Sequence, residues 1–193
     1  MNDQNNDDLD LSIPDNFFSD SEEKPFTHCK VCEVDLTKVN IPYSIEKAFK
    51  RTPQGEDLTL FEIAICMNCA EKQSKKMSVA SRSFIEKTTA TKTFFKNRNK
   101  IWENGWRNHW NNKCIFTNNE IKNNEEYHIV GHFIGNKVMP RQAPFVIGEE
   151  LIQYIQENLS LETKEEMDDF GQNFLGPDPR IAALLKDYQF VMV

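Results

Sequence analysis

Four cysteines arranged in two pairs are the residues of this chain whose types and spacing can bind a metal ion. Cys29 and Cys32 form the first CxxC pair, and Cys66 and Cys69 form the second pair after 33 intervening residues. A CxxC turn can present both of its thiolates to one cation, and four thiolates are a common ligand set of tetrahedral Zn²⁺. The spacing therefore predicts one structural zinc ion held by these four cysteines.

Paired cysteines also occur in redox enzymes and in iron–sulfur proteins. A thioredoxin-like CxxC has one pair beside a βαβ pattern, whereas this chain has two pairs around a predicted hairpin. An iron–sulfur cluster also accepts four cysteines, so the sequence leaves the choice between zinc and iron open. His28 directly precedes Cys29 but breaks the three-residue spacing, and we expect it beside the ligands or at the surface.

The segments around the cysteines predict the elements that must position them. Residues 43–49 and 58–65 predict two strands, which a turn over 52–57 joins as a hairpin. A helix is predicted over 70–76, directly after the second pair. This order of turn, hairpin, turn and helix resembles the treble-clef zinc finger across residues 26–77.

The treble-clef resemblance implies a position for the second cysteine pair. The pair would lie at a helix N-terminus, where the helix dipole favours anionic thiolates. The resemblance does not imply one function, because treble clefs serve nucleic acids, proteins and catalytic scaffolds alike.

The second half of the chain contains a weaker copy of the same pattern, at shifts of 85, 84 and 82 residues. The aligned pairs are Cys29 with Cys114, Cys32 with Thr117, Tyr43 with Tyr127, Phe49 with Phe133, Cys66 with Gly148, Cys69 with Leu151, and 78–82 with 160–164. We expect a duplicated unit whose second copy lost three of four ligands, although short apolar strands also match by chance.

A copy without zinc loses a large part of its folding free energy and must be held by apolar packing instead. The residues available for this packing are Ile129, Val130, Phe133, Ile134, Val138, Phe145, Val146 and Ile147. Cys114 is then expected to be a buried free thiol and not a nucleophile.

Charge is unevenly distributed along the chain. Residues 1–23 carry eight acids and no base, and residues 149–193 carry ten acids and three bases. Residues 72–113, the basic segment, carry eleven bases and two acids. The basic segment is therefore a candidate surface for an anionic partner.

A helix is expected over residues 92–111, and its spacing separates aromatic from basic side chains. The aromatic side contains Phe95, Trp102, Trp106, His109 and Trp110, and the other side contains Lys96, Lys100 and Arg107. Nucleic-acid stacking needs both kinds of side chain on one surface, so we expect the aromatic side to pack in the core. Lys96, Lys100 and Arg107 remain the candidate partner-binding residues, for phosphates or for an acidic protein; the alternative is a solvated face.

No constellation of catalytic residues is found in the sequence. Four thiolates leave zinc without an open coordination position. The HExxH, GxSxG, Walker and GxGxxG patterns are missing, as is the His-rich hairpin of a His-Asn-His nuclease. His128 and His132 share one face of a predicted strand but stand far apart. We therefore expect no enzymatic activity.

Both ends of the chain differ from its centre. Residues 1–24 lack a core pattern and are expected to form a disordered acidic tail, whose Phe17–Phe18 pair is either a short binding motif or part of a tether. Helices are predicted over 149–157, over 163–174 with Thr163 in a capping box, and over 179–187, followed by an apolar strand over 189–193.

The chain shows neither a leader-like N-terminus nor an apolar run of about 18 residues. We therefore expect a cytoplasmic protein without a membrane segment. In a reducing compartment, paired cysteines are more often metal ligands than disulfides.

These patterns together predict an α+β fold with a treble-clef-like zinc unit, a metal-free repeat of it and C-terminal helices. The predicted parts are a disordered acidic tail over 1–24, a four-cysteine zinc-binding unit over 25–77, connecting helices over 78–111, and the degenerate repeat with its helices over 112–193. The predicted function is a protein-interaction scaffold or adaptor with one structural Zn²⁺ and a protein partner. The alternative is nucleic-acid binding through the basic segment.

Overall fold

The fold is described from a computed structural model of the 193-residue chain. The structure describes residues 10–111, 113–123 and 125–175. The helix predicted over 179–187 and the strand predicted over 189–193 lie outside these residues, as do residues 1–9.

A five-stranded antiparallel sheet forms the centre of the molecule. Its strands are β3 (Pro42–Arg51), β4 (Asp57–Cys66), β5 (Glu126–Ile134), β6 (Lys137–Val138) and β7 (Phe145–Gly148). The order is β4-β3-β5, and both β6 and β7 pair with the far side of β5. The strands predicted at 43–49 and 58–65 are confirmed and pair as a hairpin. A separate two-stranded sheet joins β1 (Phe18–Ser19) and β2 (Lys24–Pro25).

Five α-helices accompany the sheet in the described residues. They are α1 (Met67–Lys76), α2 (Val79–Thr89), α3 (Lys92–Glu103), α4 (Glu149–Asn158) and α5 (Leu161–Phe170), and α5 continues into a π-helical turn over Gly171–Leu175. The mixed α+β class is therefore confirmed.

The N-terminus of α5 differs from the prediction. Ser160 caps this helix by accepting a hydrogen bond from the Thr163 backbone N–H, whereas Thr163 was expected to be the cap. Thr163 lies in the first turn with no exposed surface, and its hydroxyl bonds to Ser160 and Ser78. A buried hydroxyl needs partners of this kind, which the local sequence pattern does not reveal.

The single helix predicted over 92–111 is wrong, because α3 ends at Glu103. Gly105 has a φ of 80°, a left-handed conformation that glycine adopts at little cost and that interrupts a helix. Trp106 and Trp110 are buried, as expected, but Phe95 is 53% exposed. The predicted aromatic side is therefore divided between the core and the surface.

The expectation of a disordered tail over 1–24 is wrong for the residues from 10 onward. Phe17 has no exposed surface and packs against Trp110 and Phe133, with ring centroids 5.2 Å away in both cases. Leu11 accepts a backbone hydrogen bond from Val138. Burial of a complete phenylalanine side chain stabilises the folded form of this segment, although its many acidic residues disfavour folding.

Two hydrophobic clusters pack against the sheet. The first contains Phe17, Ile129 and Phe133, and the second contains Val130 and Phe145. Because successive side chains of a strand point to opposite faces, Ile129 and Val130 place these clusters on opposite sides of β5. Both faces of the central strands are therefore covered, which explains why β5 is buried along most of its length.

Candidate metal centre

The four predicted cysteine ligands converge on one point. Their sulfur atoms all lie within 4.8 Å of one another, and the Sγ atoms of Cys32 and Cys66 are 3.8 Å apart. With a Zn–S bond of about 2.3 Å, the edge of a regular ZnS₄ tetrahedron is about 3.8 Å. The cluster therefore has the dimensions that one tetrahedral metal ion requires.

Two different elements position the two pairs. Cys29 and Cys32 lie in the first turn, residues 28–35, which is closed by backbone hydrogen bonds from Cys29 to Val34 and from Glu33 to Cys29, both 2.9 Å long. A further bond of 2.9 Å from Lys30 N–H to the carbonyl of Ala64 fastens this turn to β4.

The second pair lies where β4 ends and α1 begins. Cys66 is the last residue of β4 and the N-cap of α1, and Cys69 follows in the first helical turn. The partial positive charge at a helix N-terminus stabilises thiolates at these positions.

The sulfur environment favours a bound cation. The backbone N–H of Cys66 donates to Cys29 Sγ at 3.4 Å. A hydrogen bond from the Val34 backbone lowers the pKa of Cys32. Burial raises the pKa of Cys66 and Cys69, so these thiols resist ionisation until a cation offsets the cost.

His28 lies outside the ligand cluster, and its Nδ1 contacts Thr27 Oγ1 at 2.9 Å.

A second turn, residues 113–120, repeats the backbone of the first without its ligands. Cys114 N–H bonds to Asn119 O and Asn118 N–H to Cys114 O, at 2.9 and 2.8 Å. Asn118 has a φ of 60°, and Glu33 in the first turn has a φ of 58°. Thr117 Oγ1 accepts from Asn119 N–H at 3.3 Å, in the position where Cys32 accepts from Val34.

Apolar atoms surround the start of α4, next to the second turn. Gly148 is the N-cap of α4, as Cys66 is of α1, and a Cβ atom there would lie 3.3 Å from Ile121 Cδ1 and 3.4 Å from Cys114 Cβ. Leu151 is buried, and Cys114 is a buried free thiol. Metal ions are bound by His, Cys, Asp and Glu side chains. In the part of the chain that the structure describes, the four-cysteine cluster is the one group of three or more of these side chains with metal-binding spacing.

The helices that follow the two turns also correspond. Ser78 caps α2 and Ser160 caps α5, at the shift of 82 residues found in the sequence. The two caps contact each other: Ser160 Oγ donates to Ser78 Oγ at 2.9 Å, Ser78 N–H donates to Thr163 Oγ1, and Ser160 N–H donates to Ser81 Oγ, both at 3.0 Å. This reciprocal arrangement fixes the four hydroxyl groups at the contact of the two helices.

The candidate partner-binding residues do not form one free surface. Lys96 and Lys100 are exposed on α3. Arg107 instead pairs with the Asp10 carboxylate at 2.9 Å and donates to Ser12 O at 2.8 Å, with its guanidinium 4.9 Å from the Trp106 ring. The N-terminal segment therefore engages one of the three predicted cations.

Sequence reasoning missed a buried charged cluster between β3 and β5. His128 is 1% exposed, and its ring nitrogens lie 2.7 Å from Glu46 Oε1 and 3.1 Å from Glu126 Oε1. Burial opposes the charged imidazolium, but the two carboxylates outweigh it and raise the pKa of His128 to about 9. The carboxylates therefore share a protonated histidine at neutral pH.

Two further buried cations were also missed. Lys47 is 2% exposed and pairs with Asp20 and with Glu62. Arg98 donates to Ala143 O and contacts His132 Nδ1, both at 2.9 Å. Burial lowers the pKa of Arg98 to about 10. Burial, with a contribution from Arg98, lowers the pKa of His132 to about 4. The signal that could have found Lys47 is its position within the apolar strand β3, whereas the sequence offers no comparable signal for Arg98 on α3.

Comparison of the chain with protein-family models, with curated proteins and with solved structures gives no significant match. Over the described residues, every helix is too short or too polar to cross a membrane.

Proposed function

We propose that this chain is a zinc-binding scaffold that acts by binding another protein. The observation that carries the proposal is the convergence of four cysteine sulfurs within 4.8 Å. Four thiolates complete a tetrahedral site, so the ion would serve folding and would have no position left for a substrate. A site of this kind stabilises the surfaces that are built around it.

The spacing of the sulfurs supports zinc over an iron–sulfur cluster. Several irons and inorganic sulfides would lie between the cysteines and hold their sulfurs further apart than one ion does. A single iron would take the same four ligands, and elemental analysis separates it from zinc.

We also infer that the chain contains two treble-clef-like units and that the second is a copy without metal. Support comes from the matching hydrogen bonds of the two turns, the helix starts at Cys66 and Gly148, and the caps at Ser78 and Ser160. The shifts of 85 and 82 residues between these features equal those of the sequence alignment.

Nucleic-acid binding is the second candidate function, and the exposure of Lys96 and Lys100 in the basic segment favours it. Two observations favour protein binding instead. Trp106 and Trp110 are buried and cannot stack on bases. Arg107 already holds Asp10, which reduces the charge available to phosphates.

A capture experiment with nuclease-treated lysate separates the two functions. The full chain with zinc should retain a protein partner, and the Lys96→Glu/Lys100→Glu variant should retain it equally, whereas Cys29→Ser should lose it. In parallel, a labelled single-stranded oligonucleotide is titrated at low and moderate salt. Capture that disappears after nuclease treatment, together with oligonucleotide binding that the double variant abolishes, would replace protein binding by nucleic-acid binding.

A further inference from the structure

We propose that the groove between α1 and α2 binds an amphipathic helical segment of another protein, and that a carboxylate of this segment pairs with Arg82. The inference rests on the proposed protein-binding function and gives it a surface and a partner chemistry.

The groove has the lining that an apolar side chain needs. It is an open groove with a volume of about 930 Å³ between the two helices. Its apolar lining residues are Met67, Ala70, Met77, Val79 and Ile85. Met67 is 40% exposed and Val79 is 73% exposed, so the groove presents apolar surface to solvent. Methionine side chains adapt their shape to a partner, which suits such a docking surface.

Arg82 specifies the charge of the partner. It lines the groove, and its buried Nε has no hydrogen-bond partner in the structure. Among the described residues, no carboxylate forms an ion pair with it; Glu71, on the opposite wall, is bound to Lys75 at 2.6 Å. A guanidinium held this way gains most from a partner carboxylate, because two parallel N–H donors match two carboxylate oxygens.

Within the described part of the chain, the unpaired charges on α1 and α2 are mostly positive, like that of Arg82. Of the five bases on α1 and α2, Lys75 pairs with Glu71 and Lys76 pairs with Glu166. Lys72, Arg82 and Lys87 remain against one acid, Glu86, which lines the groove with Arg82. This excess attracts an acidic segment and would repel a basic one.

At the shift of 82 residues, the contact between α4 and α5 corresponds to the groove between α1 and α2. Larger side chains fill the space at this second contact. Ile152 occupies the position of Ala70 and is 2% exposed, and Met167 occupies the position of Ile85 and is 4% exposed. Both belong to the second hydrophobic cluster. The small Ala70 side chain therefore leaves room in the first groove that the second lacks.

The shape of the groove selects a helix as its occupant. Its walls are two α-helices, and α1 with ten residues is about 15 Å long. A partner helix of similar length presents apolar side chains at i and i+3 or i+4 toward the groove. An acidic residue between them on the same face can reach Arg82.

The test uses a displayed library of helical peptides selected on the full-length, zinc-loaded protein. Selected peptides should carry an acidic residue between two apolar ones. Their affinity should fall about tenfold or more for Arg82→Met, which loses a charged hydrogen bond, and it should disappear for Ala70→Leu, which fills the groove. The matched control is Lys164→Met at the equivalent position of α5, which should bind as the wild type does.

Zinc content and urea unfolding of each variant verify that it is folded, and Arg82→Lys supplies a milder change if Arg82→Met is not. The inference is overturned if no peptide is selected, if the peptides lack an acid, or if Arg82→Met and Lys164→Met bind equally. Selection of peptides that match residues 176–193 would make the chain its own occupant and would also overturn it. If peptides bind elsewhere while lysate capture persists, this groove is refuted and the protein-binding function stands. If groove peptides bind but capture depends on nucleic acid, the proposed function fails.

Discussion

The two turns at 28–35 and 113–120 have the same backbone hydrogen bonds but different means of stabilisation. The first brings Cys29 and Cys32 to the sulfurs of Cys66 and Cys69. The second has Cys114 and Thr117 at the same spacing, and Ile121 and Cys114 pack against Gly148. The contrast teaches that this turn conformation does not itself require a metal, provided that apolar side chains fill the space between the turn and the helix.

The surroundings of the second turn provide that packing. Phe17 joins Trp110 and Phe133 on one face of the sheet, while Phe145 and Ile147 lie in the cluster on the other face. The N-terminal segment is thus part of the hydrophobic cluster that contains Phe133 of β5. Because the sulfurs of the first turn converge with those of Cys66 and Cys69, we expect this turn to depend on a bound metal ion.

The largest expected effect distinguishes Cys29 from Cys114. Cys29→Ser should reduce the metal content from about one zinc per chain to none and unfold the turn at 28–35 and α1, since structural zinc sites have apparent binding free energies of about 10–16 kcal/mol. Cys114→Ser should keep the zinc, because Cys114 is a buried thiol outside the cluster. Elemental analysis and circular dichroism measure both. Zinc loss from Cys114→Ser would break the comparison.

Removal of Phe17 should weaken the first hydrophobic cluster. Phe17→Ala should lower the free energy of unfolding by about 3–5 kcal/mol, because the side chain is completely buried between aromatic rings. Zinc content should not change. The control is Phe18→Ala, at a partly buried neighbour, which should cost less. Urea titration gives both values, and equal losses would show that the Phe17 contacts are not specific.

Two histidines four residues apart on β5 should give opposite pH dependences. The folded pKa of His128 is about 9, above its ordinary value of 6.5, so its contribution is complete below pH 6.5 and is lost as the pH rises to 9. The difference between the folded and the ordinary pKa of His128 corresponds to about 3 kcal/mol of unfolding free energy. Urea unfolding between pH 6.5 and 9.5 should show this loss, and His128→Gln should not.

His132 provides the counterpart. Its folded pKa of about 4 lies below 6.5, so the stability of the neutral form is present above pH 6.5 and is lost as the pH falls toward 4. His132→Asn keeps an acceptor for Arg98, and it should reduce the loss of unfolding free energy between pH 6.5 and pH 4. If the variant loses as much stability as the wild type between pH 6.5 and pH 4, other groups cause the loss.

The smallest effect concerns an exposed ion pair. Arg107→Gln should lower the free energy of unfolding far less than Phe17→Ala does, because the Arg107 side chain is 34% exposed and Asp10 is 62% exposed. Lys75→Gln, which removes the exposed pair with Glu71 on α1, is the control and should cost no more. A much larger loss for Arg107 would mean that this pair, rather than Phe17, fastens the N-terminal segment.

The sequence predicted those features whose signals are local. Two CxxC pairs, alternating apolar residues in β3 and β4, and the helix after Cys69 gave the ligand set and the elements that hold it. At offsets of 85 and 82 residues, the two turns and the two serine caps have matching hydrogen bonds, and the duplication inferred from these offsets stays a prediction. Gly105 was the local signal for the end of α3, but the continuing aromatic spacing outweighed it.

Features that depend on distant contacts could not be predicted. Phe17 lies in an acidic stretch, and its burial depends on residues such as Trp110 and Phe133. Glu46 and His128 are 82 residues apart, and charged residues on a strand are usually assigned to its exposed face. The groove along α1 and α2 arises from the way in which two helices meet, which no short pattern encodes.

Hydrogen exchange before and after chelation tests the central claim most directly, because it compares both turns in one molecule. Metal removal should eliminate protection of the backbone amides in 28–35 and α1, and it should leave those of 113–120 and α4 protected. If chelation changes neither turn, the four cysteines do not hold a stabilising ion. If both turns lose protection together, the second half is not held by its own packing, and the account is wrong.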